Sequence, residues 1–348
     1  MESLRLTWHR ITHWEYWPFW LIYYPLFPFW LFFSLRARSF FFFNAANPTM
    51  ENGGMAMESK NDIYEIIPQE HIPNTVWIQK GATIDDIHQR IKTKGITFPF
   101  IAKPDIGMKA LGVEKIFNES ALEAYIEKSP ENFLIQEFIP YTKEVGIFYV
   151  RMPEEAKGKI TGIVSKEFLS VIGDGKSTLV ELIKQNPRSH LQLSVLREEL
   201  GAQLDTTVLT KGEEFILVPY GSHTRGAKFV DYSNYIDDEL VATIDAICTR
   251  VPEFYYGRLD VLYNSMEELA KGEKFSIIEI NGAGAEPTHV YDPKHSVFFA
   301  WKEILRHWNL LNKISIINHR KGHPYLSFKD GRAMLKANDE LESQLKLI

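Results

Sequence analysis

The sequence predicts a folded α/β or α+β protein that follows an unusually aromatic N-terminal segment. The chain has 348 residues, of which 45% are hydrophobic and 24% charged, and this balance excludes a fully disordered chain. Between residues 60 and 312, short β-rich runs alternate with helical patterns, as in mixed helix and sheet proteins. Residues 14–43 hold 16 of the 46 aromatic residues and therefore form a segment of a different kind.

The aromatic segment contains a run, residues 17–35, without a charged side chain, which is long enough for a membrane span. Three prolines interrupt that run, and five of its residues are Trp or Tyr, which favour the headgroup boundary. Arginines flank the run on both sides, so the positive-inside rule predicts no orientation of the run in a membrane. We therefore expect shallow insertion of residues 14–43 into one leaflet. Burial against the protein or in a dimer interface is the second alternative, and a true span is the third.

Charge and cysteine content limit the possible partners and the compartment. The formal net charge of −6 argues against a dedicated nucleic-acid binder, which needs a basic surface for phosphate contacts. The single cysteine, Cys248, excludes an internal disulfide framework and a thiolate zinc cluster. We expect a reducing, cytosolic setting for the folded part, with Cys248 as a small buried residue of a helix.

Hydrophobic patterns give the order of the elements. The strands are predicted at residues 75–79, 98–103, 133–138, 145–151, 159–164, 214–218, 256–262 and 275–280. The helices are predicted at residues 84–94, 120–128, 179–185, 237–250 and 297–311. Residues 44–60 are expected to form a linker or loop, and the tail after Asp330 a charged, solvated helix.

One glycine-rich segment, residues 173–178, is similar to the end of a phosphate-binding P-loop. The full motif requires a glycine five residues before Gly175, and that position is Ser170. The segment is therefore interpreted as a turn in which Ser177 or Thr178 caps the following helix.

Two strands near the C-terminal end carry the strongest candidate site. Arg258 and Asp260 share one face of the first strand, and Glu279 and Asn281 share one face of the second. If the strands lie side by side, their carboxylate and amide oxygens converge and suit Mg²⁺, with positions open for phosphate oxygens. The alternative is an arginine–carboxylate ion pair at the edge of a sheet.

Further polar groups occur earlier in the chain, at the ends of apolar strands. Lys103 ends one such strand, where burial without a partner is costly. The loop that follows contains Gly107 and Gly112, and glycines let backbone N–H groups approach a phosphate closely. A second apolar strand carries Gln136 near its end.

The order and spacing of these motifs resemble those of ATP-grasp enzymes over roughly residues 52–292. The similarity is greatest to D-alanine–D-alanine ligases, with a second similarity to the cyanophycin synthetase type. The resemblance implies an α+β ATP-grasp fold, in which two α+β subdomains grip ATP between antiparallel sheets. We expect a membrane-associated aromatic segment at residues 1–45, an ATP-grasp domain at residues 46–312 and a charged tail at residues 313–348.

Matching positions imply a role for each site residue. Lys60 and Lys103 resemble the lysines that bind ATP phosphates, and Gly107 and Gly112 belong to a loop, residues 105–112, that resembles the phosphate lid. The residues that resemble the adenine and ribose contacts are Gln136, Glu137, Ile139 and Glu144.

The remaining positions resemble the catalytic and metal-binding residues. Lys166 matches a lysine near the terminal phosphate, and Arg258 matches the arginine that stabilises the anionic intermediate. The residues that resemble the magnesium ligands are Asp260, Glu279 and Asn281. Arg225, in a segment similar to the cyanophycin synthetase type, is the candidate contact to substrate or phosphate.

The resemblance implies an ATP-dependent ligase that uses two Mg²⁺ ions, with Mn²⁺ as the alternative ion. Such an enzyme phosphorylates a carboxylate, and an amine or thiol then attacks the acylphosphate. The expected substrates are an amino acid, a peptide or an envelope precursor. The catalytic domain is expected to be cytoplasmic at the membrane, without nucleic acid, and homo-oligomerisation stays open.

Departures from the family pattern leave the substrate open. The serine-rich lid of the ligases is replaced by residues 107–110, and residues 283–285 replace a Ser-Pro-Gly region. A separate N-terminal substrate domain has no counterpart in the residues before the match. D-alanine specificity is therefore not implied. The competing hypothesis is a membrane-anchored nucleotide-binding protein without ligase activity.

Overall fold

A computed structural model describes residues 2–108, 111–218, 221 and 223–346. The helices are α1 (Glu2–Thr12), α2 (Phe19–Tyr23), α3 (Phe27–Ala37), α4 (Lys60–Ile66), α5 (Ile84–Thr93), α6 (Glu119–Lys128), α7 (Leu179–Gln185), α8 (Pro187–His190), α9 (Leu193–Leu200), α10 (Gln203–Thr206), α11 (Asp238–Cys248), α12 (Met266–Ala270), α13 (Val297–Arg320) and α14 (Phe328–Leu345). The strands are β1 (Thr75–Ile78), β2 (Phe100–Pro104), β3 (Glu114–Ile116), β4 (Phe133–Glu137), β5 (Lys143–Val150), β6 (Lys159–Glu167), β7 (Leu169–Ile172), β8 (Glu214–Val218), β9 (Lys228–Asp231), β10 (Tyr256–Tyr263) and β11 (Phe275–Asn281).

The strands form antiparallel sheets, which confirms a mixed helix and sheet fold. The first sheet has the strand order β1-β4-β2-β3, and its core includes Ile78, Phe100 and Ile135 together with residues of α5 and α6. The second sheet has the order β11-β10-β5-β6-β9 and packs against α11. A smaller unit pairs β7 with β8 and buries apolar residues of α7, α9 and α10.

Helix starts follow their capping residues. The side chains of Thr83, Asn118, Asp237 and Ser296 each accept a hydrogen bond from the backbone N–H three residues later, at the starts of α5, α6, α11 and α13. Thr178 and Glu181 form a capping box at the start of α7, which confirms that residues 173–178 are a turn and a cap. Cys248 is fully buried in α11, as predicted.

The aromatic segment packs against the rest of the protein with one side. Phe41, Phe42 and Phe43 are buried in a core that also contains Leu311 and Ile314 of α13. Ile22 and Leu26 are buried against another part of α13. Other rings of the segment stay exposed, among them Phe19 and Tyr24. Among the described residues, no helix combines the length and the apolar character that crossing a bilayer requires.

Several predicted boundaries were wrong. The helix predicted at residues 297–311 continues to Arg320, so it crosses the expected domain boundary at residue 312. The tail helix α14 is not fully solvated, because Leu341 and Leu345 are buried. Residues 44–60, predicted as a linker or loop, do form a loop with short 3₁₀ turns, and the side chain of Asn47 is fully buried and donates to Gly53 O and Tyr256 O. The short strands β3, β7 and β9 were not predicted.

Candidate active site

The two C-terminal strands lie side by side, as their sequence pattern predicted. In the antiparallel pairing of β10 and β11, Asp260 lies opposite Glu279 and Arg258 lies opposite Asn281. Because side chains alternate between the two faces of a sheet, these four residues occupy one face. Two carboxylates, an amide and a guanidinium therefore meet on the last two strands at one edge of the second sheet.

Asp260 is the centre of a buried ion network. Its Oδ1 accepts a hydrogen bond from Arg258 Nε at 2.9 Å, and its Oδ2 accepts one from Arg258 Nη2 at 3.0 Å. Lys166 Nζ lies 3.2 Å from the same Oδ2 and donates to Glu144 Oε1 at 2.5 Å. The network thus joins residues of β5, β6 and β10.

In this network, neighbouring charges have a larger effect on the pKa values than burial has. Burial alone raises the pKa of Asp260, but Arg258 and Lys166 lower it below its usual value. Burial lowers the pKa of Lys166, but the carboxylates of Asp260 and Glu144 raise it above its usual value. The carboxylate of Asp260 and the ammonium of Lys166 are therefore both held in their charged forms at neutral pH.

Lys103 connects the two sheets. It belongs to β2 of the first sheet, and its Nζ lies 2.6 Å from Tyr64 Oη and 2.8 Å from Gln136 Oε1. The same Nζ lies 3.4 Å from the carbonyl oxygen of Ile278 in β11 of the second sheet. Burial lowers the pKa of Lys103 to about 8, although the charge of Glu279 opposes this effect. Lys103 is thus a buried cation at the junction of the sheets.

The first turn of α4 lies against the predicted lid. Lys60 Nζ donates to the carbonyl oxygen of Gly107 at 2.8 Å. The buried carboxylate of Asp105 accepts hydrogen bonds from Ser59 Oγ and the backbone N–H of Asn61. Gly112 has a φ of 68°, which explains a glycine at that position. Lys109 and Ala110, the centre of the lid, lie outside the described residues.

The residues predicted to contact adenine and ribose have mixed surroundings. The Gln136 side chain is buried and bonds to Lys103 and Thr75. Glu137 ends β4 with an exposed side chain that accepts hydrogen bonds from Asn74, and Ile139 is half-buried just beyond the strand. Glu144 lies in the second sheet and contacts Lys166, so its predicted role at the ribose stays a prediction.

Sequence reasoning missed one carboxylate in this region, that of Glu58. Its Oε2 is buried and has no hydrogen-bond partner among the residues that the structure describes. Burial raises its pKa, the charge of Glu279 raises it further, and Lys60 lowers it. The loop that carries Glu58 is joined to the end of β11, because Ala283 and Gly284 donate backbone hydrogen bonds to Gly53 O and Gly54 O. Glu58 is in a loop without periodicity, so no sequence signal pointed to it.

One contact of Arg225 lies outside this cluster. Its guanidinium donates a hydrogen bond to Glu199 of α9. The loop before it does approach the site, because a Cβ on Gly221 would lie 2.8 Å from Lys166 Cβ and 2.9 Å from Glu144 Oε2. Ser222, which belongs to the same predicted segment, lies outside the described residues.

Three side chains of this site carry oxygen atoms that can bind Mg²⁺. Within the described part of the chain, the Glu279 carboxylate has no hydrogen-bond or ion-pair partner, and Asn281 Nδ2 is buried without one. Glu279, Asp260 and Asn281 offer the hard oxygen atoms that Mg²⁺ prefers, and Glu279 is uncommitted. No group of three or more His, Cys, Asp or Glu side chains suited to a metal occurs in those residues. With three oxygen donors from the protein, the remaining positions of a six-coordinate Mg²⁺ are left to other oxygen atoms, such as those of water or phosphate.

Solved structures of several ligases are similar to this chain. The D-alanine–D-alanine ligase from Bacillus anthracis is 13% identical, with a TM-score of 0.45, and the match covers 78% of this chain and 72% of that one. The VanG D-Ala:D-Ser ligase from Enterococcus faecalis is 14% identical, with a TM-score of 0.40, over 76% and 64%. The bifunctional glutathione synthetase from Pasteurella multocida is 13% identical, with a TM-score of 0.38, over 73% and 38%.

The ATP-grasp resemblance of the motifs stays a prediction, because these matches have TM-scores of 0.38 to 0.45. At such low identity the similarity concerns the fold alone. No protein-family model matches the chain. No curated protein matches it either.

Proposed function

We propose that this protein is an ATP- and Mg²⁺-dependent ligase that joins a carboxylate to an amine or thiol through an acylphosphate. One observation carries the proposal: buried cations of two different sheets lie close to the strand that carries Glu279. Lys103 of the first sheet contacts the carbonyl oxygen of Ile278, next to Glu279. Arg258 and Asp260 lie on β10, which pairs with the strand of Glu279, and Lys166 is bound to Asp260. A structural ion pair alone does not require a buried lysine with a lowered pKa beside an uncommitted carboxylate.

In the proposed reaction a substrate carboxylate oxygen attacks the terminal phosphorus of ATP, and the bond to ADP breaks. The amine or thiol then attacks the carbonyl carbon of the acylphosphate and loses a proton, and phosphate leaves. The protein's part is to align these groups and to offset their charge, since phosphoryl transfer needs little covalent help. We assign Lys60 and Lys103 to the phosphates of ATP, and Lys166 and Arg258 to the charge that develops on the transferred group.

Asp260, Glu279 and Asn281 are the residues that would hold magnesium. When bound there, the ion supplies positive charge beside the phosphates. Arg258 and Lys166 already neutralise Asp260, so Glu279 has the greater capacity for a new ligand. Glu58 adds a further carboxylate, and no described residue bonds to its Oε2.

The proposed substrates are small molecules, namely an amino acid, a peptide or an envelope precursor. The proposal also includes a cytoplasmic location for the catalytic domain, at a membrane that residues 14–43 contact. The competing function is a membrane-anchored protein that binds a nucleotide without catalysing ligation. Glu279 argues against it, because an uncommitted carboxylate beside buried cations has no evident structural use.

The test is the release of phosphate from Mg-ATP by the full chain, purified in mild detergent. Pools of amino acids, dipeptides and envelope precursors are added one at a time, and ATP binding is measured in parallel by calorimetry. Release that depends on one pool supports the ligase and identifies half of the substrate pair. ATP binding without release from any pool favours the nucleotide-binding alternative. Absence of ATP binding contradicts both functions.

A further inference from the structure

Residues 19–37 form a nearly continuous helix. The helices α2 and α3 are joined by a single 3₁₀ turn, Tyr24–Leu26, and the residues at its junctions keep helical dihedral angles. Pro25 and Pro28 lie in the first turns of the 3₁₀ turn and of α3, where the missing N–H costs little. Pro25 and Pro28, two of the three prolines that interrupt the apolar run in the sequence, are therefore compatible with a helix at their positions.

This helix is apolar on two opposite faces. Its inner face, with Ile22, Leu26, Phe33 and Ala37, is buried in the protein. Its outer face consists of Trp20 (54% exposed), Tyr24 (71%), Phe27 (48%), Leu31 (42%) and Leu35 (78%). A helix at the surface of a water-soluble domain normally has a polar outer face. A stripe of this size over the whole length of a helix indicates a surface that another apolar phase or molecule covers.

The inner face is fixed to the domain by hydrogen bonds as well as by packing. Trp301 Nε1 of α13 donates to the carbonyl oxygen of Ile22 at 3.0 Å, and Asn312 Nδ2 donates to that of Phe33 at 2.9 Å. A helix that is held to a folded domain along one side cannot be surrounded by lipid. It can lie along a surface and insert its outer face only.

Charge indicates which partner fits the outer face. Glu15 is the sole acidic residue between residues 4 and 50, and its carboxylate is buried 2.7 Å from Arg188 Nη2. Arg10, Arg36 and Arg38 are exposed at or near the two ends of the aromatic segment. Exposed Trp and Tyr rings with arginines and without free carboxylates match the headgroup region of an anionic bilayer.

The first helix, α1, also has an exposed apolar face. Leu4, Trp8 and Ile11 are exposed, and their spacing places them on one face of α1. Apolar rings in the acyl boundary and arginines at the headgroups are the two contributions that hold an amphipathic helix in the plane of a membrane.

We infer that the outer face of residues 19–37 docks on the surface of an anionic lipid bilayer, inserting into one leaflet without crossing it. The inner face holds the folded domain against that surface. This inference does not depend on the proposed activity, because it involves neither ATP nor the candidate active site.

The test is co-flotation of the full chain with lipid vesicles in the absence of ATP. Vesicles of phosphatidylcholine containing phosphatidylserine are compared with pure phosphatidylcholine vesicles. The test variant combines Trp20→Ser, Tyr24→Ser and Leu35→Ser. A matched control combines Phe117→Ser, Ile172→Ser and Ile216→Ser, which remove exposed apolar side chains elsewhere. Circular dichroism establishes that both variants are folded.

We expect the wild type to bind anionic vesicles at least about tenfold more tightly than neutral vesicles, since each arginine near the surface adds attraction. The test variant should bind about 100-fold more weakly than the wild type, and the control variant should bind normally. Brominated lipids should quench tryptophan fluorescence most strongly when the bromine is in the upper part of the acyl chain.

Three results would overturn the inference. The first is that the wild type fails to float with anionic vesicles, and the second is that the test variant floats as well as the wild type. The third is that the wild type binds no vesicles but sediments as a dimer, which the test variant abolishes. The last result would assign the outer face to a second copy of the chain.

Discussion

The side chains of Lys166 and Asp260 meet across an intervening strand, with 3.2 Å between Nζ and Oδ2. Lys166 lies on β6 and Asp260 on β10, and β5 separates these strands. The β5 residue opposite Asp260 is Gly146. A Cβ at Gly146 would lie 3.0 Å from Arg258 Cδ and 3.1 Å from Asp260 Oδ1. The absence of a side chain on Gly146 therefore leaves space for the ion network of the candidate active site.

Substitution of Gly146 tests this arrangement. Gly146→Ala places a methyl group 2.9 Å from Val164 Cγ1 and against Arg258, and overpacking of this kind costs about 1–3 kcal/mol. We expect the free energy of unfolding to fall by that amount and ATP turnover to fall by at least about tenfold, because Arg258 must move. Urea unfolding and phosphate release measure the two effects. Unchanged values in both assays would show that Gly146 has no such role.

Lys103 should give the protein a distinctive pH dependence. Burial lowers its pKa to about 8 in the folded chain, whereas the unfolded chain has a value of about 10.4. Below pH 8 the folded state must keep a buried cation, and between these two values only the unfolded chain keeps the proton. The free energy of unfolding should therefore rise with pH across this window, by on the order of 3 kcal/mol from this residue.

Lys103→Met removes the titrating group, so the variant should lack this rise. Urea unfolding at about pH 7.5 and pH 10 measures the difference between wild type and variant, and other titrating groups contribute equally to both. The same pH dependence in the variant would contradict the buried-cation assignment.

Tyr23 connects the aromatic segment to the site. Its hydroxyl donates a hydrogen bond to the Glu286 carboxylate, and the backbone carbonyl of Glu286 accepts one from Arg258 Nη1 at 3.3 Å. Tyr23→Phe keeps the ring but leaves a partly buried carboxylate short of a donor, which typically costs about 1–3 kcal/mol. Tyr24→Phe is the matched control, because that neighbouring ring is 71% exposed. Calorimetry should show a lower Tm for Tyr23→Phe alone, and equal Tm values for the two variants would refute the connection.

The long strands could be predicted because their residues alternate or form apolar runs. The pattern of Arg258, Asp260, Glu279 and Asn281 fixes which side chains share a face, and the structure pairs those strands. The strands β3, β7 and β9 have three or four residues and were not recognised, although β1, which also has four, was predicted. The extra length of α13 depends on its packing against residues 33–46, which no local pattern reveals.

The members of the site that the sequence did not reveal are those defined by distant backbone pairing. Gly146 matters because of its position opposite Asp260, and Glu58 because of the hydrogen bonds that join its loop to residues 283 and 284. The sequence also could not predict which face of residues 19–37 is buried and which is exposed. Both faces are apolar, and only tertiary contacts distinguish them. Arg225 was a candidate from a motif alone, and its guanidinium contacts Glu199.

Glu279 is proposed to help hold a metal ion beside bound ATP, and calorimetric titration of ATP with and without Mg²⁺ tests this role. The protein is compared with Glu279→Gln and with Glu273→Gln, an exposed glutamate of the preceding turn as the matched control. We predict that Mg²⁺ increases the ATP affinity of the wild type and of Glu273→Gln. Glu279→Gln should bind metal-free ATP at least as well, because a negative charge is gone, and should gain nothing from Mg²⁺. A Glu279→Gln variant that keeps the wild-type response to Mg²⁺ would contradict the account.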